Sequence, residues 1–245
     1  MDKGDDHMSK TETTKKQGYW NGFFRAIAAI AVYFILPYLQ PVPFELLGID
    51  LATVPMIIKT IYLVVFEALM IVIIVSLFYD DLKENLADLK KNHRAYFNEY
   101  LKYWFLVLIL MMISNSIIMG LNHGAIATNE ETVRQTFTVA PVYMFLSAVV
   151  FAPIVEELVF RKSIRQIFTN DFLFIFLSGL IFGSLHVLPS YQAPIDLLYL
   201  IPYSIPGWVF AYTLKKSKNI FVPMGLHFLH NGILMSLQAF LYFFM

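Results

Sequence analysis

Three features of the chain point to an all-α polytopic membrane protein of about seven transmembrane helices. The 245 residues are 58% hydrophobic and only 15% charged, with mean hydropathy +0.62. A soluble domain carries about 25% charged residues, and this chain could not cover itself in water with so few. The apolar residues gather into runs near the ~20 residues that cross ~30 Å of hydrocarbon. The basic residues, finally, cluster between alternate runs. Net charge is zero, 18 basic against 18 acidic, so no overall charge points to nucleic acid. The absence of Cys excludes disulfide frameworks, Cys-ligated metal sites, thiol catalysis and palmitoylation.

Residues 1–20 are polar and mixed in charge, and are expected to form a disordered cytoplasmic tail. The first apolar run, Phe23 to Leu39, ends without an Ala-x-Ala-like cleavage site and reads as a retained helix. Residues 21–137 then form an N-terminal unit of three helices, the second over Val54–Phe78 and the third over Leu101–Leu121. Residues 138–245 form a second unit, with helices over Pro141–Phe160, Phe172–Leu188, Asp196–Leu214 and Phe221–Met245. Pro202, Pro206 and Gly207 should kink the sixth helix.

All basic residues except Lys59 and Arg134 fall in the tail, in the loop Lys83–Lys102, around Arg161–Arg165, or at Lys215–Lys218. The positive-inside rule places these four segments in the cytoplasm, with the N-terminus inside and the C-terminus outside.

An ionisable group in hydrocarbon is costly and is a functional hypothesis by default. The richest set lies in the last hundred residues. The fourth helix carries Glu156, Glu157 and Arg161, the fifth ends at Phe182 to His186, and the seventh opens with His227, His230 and Asn231. A tight turn at Thr169–Asn170 would make the fourth and fifth helices an antiparallel hairpin. At 1.5 Å per residue, Glu156 and His186 would both stand roughly 20–25 Å from that turn. His227 and Asn231 share a face at i, i+4 spacing. Glu156, His186, His227 and Asn231 could therefore meet inside the bilayer.

Such a cluster suits amide hydrolysis. A carboxylate in low dielectric is a better base for water. A neutral imidazole can hold the same water, and His227 with the Asn231 amide can donate to the oxyanion of the tetrahedral intermediate. A zinc version would use Glu156, His186 and His227 as ligands, with one position open for water. Sequence leaves the two versions open.

Bland readings compete. Glu157 and Arg161 are spaced for a structural i, i+4 pair. His186 alone is more often a hydrogen-bonded helix-end His, and Asn231 alone more often interhelical glue, as Asn115 is. His230 could support His227. Glu67 is an intramembrane carboxylate two turns from Lys59, and a structural pair accounts for it. Asn122, His123, Glu130, Glu131 and Arg134 read as a solvated external loop, and His93 as part of a charged cytoplasmic one.

Glu156-Glu157-x-x-x-Arg161, Phe182-x-x-x-His186 and His227-x-x-x-Asn231 resemble, in order, the three motifs of the CPBP intramembrane proteases. That family contains the type II CAAX prenyl endopeptidases and the bacterial Abi, or bacteriocin-immunity, proteins. The likeness covers about Pro141 to Leu237. It implies an intramembrane (metallo)endopeptidase with a cavity open to the cytosol. Glu156 would activate water with His186, His227 and Asn231 would hold the oxyanion, and Glu157 and Arg161 would support them. It further implies a peptide or lipidated-protein substrate, a bacterial cell membrane as the location, and zinc as the sole cofactor to consider. The alternatives are a non-enzymatic membrane adaptor, or a bacteriocin-immunity or envelope-regulating protein. A transporter or proton relay is disfavoured, because no inverted repeat is visible.

Overall fold

Between Met56 and Met119 the chain has neither Gly nor Pro, and it folds there as two long helices. In the computed structural model, which describes residues 10–244, α1 covers Lys10–Ile35 and a short α2 covers Val42–Leu46. The long pair follows as α3 Met56–Leu77 and α4 Tyr79–Leu121. The segment expected to be a disordered tail is thus helical from Lys10, and residues 1–9 lie outside the described residues. The segment Lys83–Lys102, expected as a loop, is the first half of α4. Its charges suggested a loop, but it is rich in Leu, Ala, Glu and Lys, all strong helix formers. A helix of 43 residues is about 65 Å long at 1.5 Å per residue, twice the hydrocarbon thickness. On α3, Ile57, Ile61, Val65, Leu69 and Val72 are all exposed, an apolar stripe that suits lipid contact.

A short α5, Thr128–Val139, replaces the expected external loop and carries an exposed Glu130–Arg134 pair at 2.9 Å. The next helix is interrupted twice. It runs as α6 Pro141–Leu146, a π-turn Ser147–Phe151, α7 Ala152–Glu157, a second π-turn Leu158–Ser163, and α8 Ile164–Ile167. The hairpin turn falls at Thr169–Asn170 as expected, and the Asn170 side chain caps α9, Asp171–Val187, by accepting from the Leu173 amide at 3.0 Å. A 3-10 segment Pro194–Tyr199 leads into α10, Leu200–Ser217, and α11 covers Phe221–Phe244. Among the described residues there is no strand.

Helices α9 and α10 pack through small residues. A Cβ on Gly207 would lie 2.6 Å from the Gly179 Cα, and one on Gly183 would lie 2.2 Å from Ser204 Oγ. Such bare surfaces let two backbones approach within a membrane. Pro202 lies in the first turn of α10, where its missing N–H has no helical partner to lose. Pro206 sits inside the helix beside Gly207.

Ion pairs gather the basic segments at one end of the bundle. Asp81 meets Arg25 at 3.7 Å and Lys162 at 3.1 Å, and Asp171 meets Arg165 at 2.9 Å and Lys215 at 3.1 Å. At the other end Tyr199 Oη donates to the Ala125 carbonyl at 2.8 Å, and Asn129 Nδ2 donates to Tyr203 Oη at 3.3 Å. Six segments are long and apolar enough to cross a membrane: Gln17–Leu46, Met56–Leu77, Tyr79–Leu121, Pro141–Ile167, Asp171–Ser190 and Pro194–Ser217. Helix α11 has the length but is diluted by His227, His230, Asn231 and Gln238. The chain is an all-α polytopic membrane protein, and the seventh crossing rests on α11.

Candidate active site

The first π-turn arises where the ordinary helical ladder cannot close. Pro153 has no N–H. The amide of Ala152 reaches back five residues to the Ser147 carbonyl, and in that register the Ala148 carbonyl would be served by residue 153. Instead Asn231 Nδ2 donates to Ala148 O at 2.8 Å from α11. In the second π-turn Ser163 Oγ donates to Leu158 O at 2.9 Å, and Ser178 Oγ of α9 donates to Phe160 O. Freed carbonyls in a membrane need such partners, and π-turns recur at functional sites.

The short α7 between the turns carries Glu156 and Glu157 at its end. Glu157 is wholly buried, as is Arg161, and Arg161 Nε lies 3.3 Å from Glu157 Oε2. The Arg161 guanidinium lies over the Phe182 ring at 4.2 Å and the Phe210 ring at 5.8 Å. The other Glu157 oxygen, Oε1, is 2.9 Å from His227 Nδ1. A Glu157 carboxylate held by Arg161 can only accept, so Nδ1 carries the proton. The neutral ring then presents the Nε2 lone pair toward Glu156, whose Oε2 is 3.7 Å away. The Glu156 side chain is 15% exposed, whereas Glu157 is 0% exposed. Two adjacent carboxylates therefore have different surroundings, one locked in an ion pair and one open beside an oriented imidazole.

The structure brings together Glu156, Glu157, Arg161 and His227, and anchors Asn231 beside them on the Ala148 carbonyl. It does not bond His186 to them. His186 Nδ1 faces its own helix's Phe182 carbonyl at 2.9 Å, and its ring stacks on Tyr203 at 5.1 Å. The Phe182 ring lies between the two imidazoles, 4.6 Å from His186 and 6.0 Å from His227. His186 also lines a small pocket with Asn129, Ser190, Asp196 and Tyr199 at the end of the bundle away from the basic residues. His230 is buried, and its Nδ1 has no hydrogen-bond partner among the described residues.

The donors expected to hold zinc do not fit that role in this arrangement. Among the described residues no three His, Asp or Glu side chains are grouped as metal ligands. His186 turns its ring to Tyr203, and the Phe182 ring lies between it and His227.

Sequence reading missed the partners of Glu67. Lys59 is not among them. Tyr143 Oη and Ser147 Oγ donate to Glu67 Oε1 at 2.9 and 2.8 Å. Both lie more than seventy residues away in sequence, so helix-face spacing could not reveal them. The π-turns were missed as well, although Pro153 was a visible signal for the first.

Comparison with known proteins agrees with the motif likeness. Residues 138–233 match the family model described as type II CAAX prenyl endopeptidase Rce1-like, which includes every residue of the site above. The chain is also 29% identical over 141 residues to the Bacillus subtilis (strain 168) protein named "Putative membrane peptidase YdiL". That match covers 55% of this chain and 53% of the relative, so the chain spans about half the length of the relative it matches. No solved structure matches. The resemblance to the CPBP proteases is thereby borne out over this stretch.

Proposed function

We propose, from the premise that residues 138–233 form a type II CAAX prenyl endopeptidase-like unit, that the chain is an intramembrane endopeptidase in which Glu156 activates water. One observation carries this reading: Glu156 is the accessible carboxylate, and it faces a His227 that the buried Glu157–Arg161 pair orients. Glu157 fixes the tautomer of His227, much as a buried carboxylate fixes the base of a hydrolytic triad.

A water between Glu156 and His227 would donate one proton to Glu156 while its oxygen attacks the scissile carbonyl. The C–N bond then breaks as Glu156 returns that proton to the leaving nitrogen. His227 Nε2 accepts the second hydrogen of the water and holds it in line. Asn231 donates one N–H to Ala148, which leaves the second N–H of the same amide for the oxyanion. His186, across the Phe182 ring, is assigned to binding of the substrate.

The substrate is a membrane-associated peptide or a lipidated protein. The test uses wild-type protein in detergent with two probe sets: farnesylated C-terminal CAAX-type peptides and unmodified transmembrane peptides. Cleavage in either set by wild type, and its loss in Glu156→Gln, is the expected result. No cleavage by well-folded wild type in both sets would favour the adaptor reading.

A further inference from the structure

The direction in which Glu156 points depends on the π-turn that precedes it. A π-turn inserts one residue into the helical ladder, and one residue corresponds to about 100° of rotation about the axis. If Ser147–Phe151 relaxed to ordinary α-helix, Glu156 would rotate away from His227 by that amount. Two side chains from other helices hold the turn. Asn231 of α11 binds its Ala148 carbonyl at 2.8 Å. Glu67 of α3 binds its first residue, Ser147, at 2.8 Å, and binds Tyr143 one turn earlier at 2.9 Å.

We infer that Glu67 is a positioning residue for Glu156: through one carboxyl oxygen it grips Tyr143 and Ser147 and holds the π-turn that aims the base at His227. Glu67 lies in the middle of α3, the most apolar of the six membrane-crossing segments, where a carboxyl group is costly unless it has a task. Its Oε1 accepts two hydroxyls, while Oε2 is buried with no hydrogen-bond partner among the described residues. Gripping one face of the π-turn therefore needs an oxygen acceptor. A proton relay would instead need a partner on Oε2.

The inference rests on Glu156 being the catalytic base, and the test separates the two claims. The chain has no cysteine, so a Glu156→Cys/His227→Cys pair would be its sole pair of thiols. Cross-linking of that pair in membranes by a short bifunctional thiol reagent reports the direction of position 156 without any peptidase activity. Adding Glu67→Leu is expected to abolish most of the cross-link, and adding Glu67→Gln to preserve it, because the amide oxygen still accepts both hydroxyls. With the native site residues, Glu67→Leu should lower kcat by about tenfold or more with KM nearly unchanged, as a misplaced base does. Glu67→Gln should stay near wild type. If Glu67→Leu fails to fold, the Tyr143→Phe/Ser147→Ala double variant removes the same two bonds and must show the same losses. Undiminished cross-linking in the variant that folds overturns the inference, and so does Glu67→Gln behaving like Glu67→Leu, which would assign Glu67 a proton or a charge. If wild type cleaves no peptide, the peptidase reading fails and cross-linking alone decides the role of Glu67.

Discussion

His227 Nδ1 lies 2.9 Å from Glu157 Oε1, and this contact divides the labour of two neighbouring glutamates. Glu157 is wholly buried, with one oxygen on His227 and the other beside Arg161, so bulk water does not reach it. Glu156, one residue earlier, faces the opposite ring nitrogen and is partly exposed. Glu156→Gln is expected to lower turnover by about 10²–10⁴-fold, the usual contribution of a positioned base, with little change in melting temperature. Glu157→Ala leaves Arg161 as an unpaired buried charge and should cost about 3–5 kcal/mol. Turnover and thermal melts of both variants in detergent check the pair. Equal stability with equal inactivity would undo the division of roles.

Arg161 tests how closely the pair depends on the rings around it. Its guanidinium carbon lies over the Phe182 ring at 4.2 Å, a contact that the compact ammonium of lysine does not reproduce. Arg161→Lys keeps the charge but should destabilise the protein by about 2 kcal/mol, the scale of a desolvated cation–π contact. Since Phe182 also lies against His186 and His227, activity should fall too. A melting temperature equal to wild type would show that charge alone suffices.

The sequence made part of this site legible. The Asn170 turn, the Glu157–Arg161 pair and the gathering of basic segments at one end all follow from local rules: a cap, an i, i+4 spacing and a charge pattern. Contacts between distant helices did not follow. The Glu157–His227 bond joins α7 to α11, Glu67 joins α3 to the π-turn, and Asn231 answers a proline on another helix. Each depends on how helices rotate against one another, which no single periodicity specifies. The Lys83–Lys102 segment misled for a different reason: a charged run reads as a loop although its residues favour helix.

Metal removal follows from the same geometry. Glu156, His186 and His227 do not converge as ligands, and the His186 ring is stacked on Tyr203. Chelator-treated, metal-free enzyme is expected to keep its turnover. Loss of activity that zinc restores, together with one bound zinc per chain, would mean that His186 leaves Tyr203 to complete a ligand set.

Helices α9 and α10 are joined at bare glycine surface, so a single methyl group probes the contact. Gly207→Ala places a carbon 2.6 Å from the Gly179 backbone, which no side-chain movement relieves. Overpacking of this kind costs about 1–3 kcal/mol. Gly225→Ala, two residues before His227, meets nothing within 4 Å and should be neutral or stabilise by up to about 1 kcal/mol. Melting of the two variants side by side distinguishes close packing from a general intolerance of alanine. Equal loss in both would remove the packing argument.

Helix α11 decides the topology. It starts at the basic end, where Asn219 Nδ2 donates to the Asn85 carbonyl and to Asp88 Oδ2, both at 2.7 Å. Near its close Tyr242 meets α5: its hydroxyl lies 3.4 Å from the Thr138 carbonyl, and its ring packs on Phe137 at 5.7 Å. Thr138 lies in the last turn of α5, three residues before the start of α6, at the far end of the hairpin from Asn170. A helix of 24 residues spans about 36 Å at 1.5 Å per residue, enough to cross the hydrocarbon despite its polar residues. Those residues face the bundle, since His227 and His230 are buried, so their cost is not borne against lipid. A reporter fused after Met245 should therefore lie on the opposite side of the membrane from one inserted in Lys83–Arg94, and the positive-inside rule puts the latter in the cytoplasm. Reporters on the same side would mean that α11 does not cross.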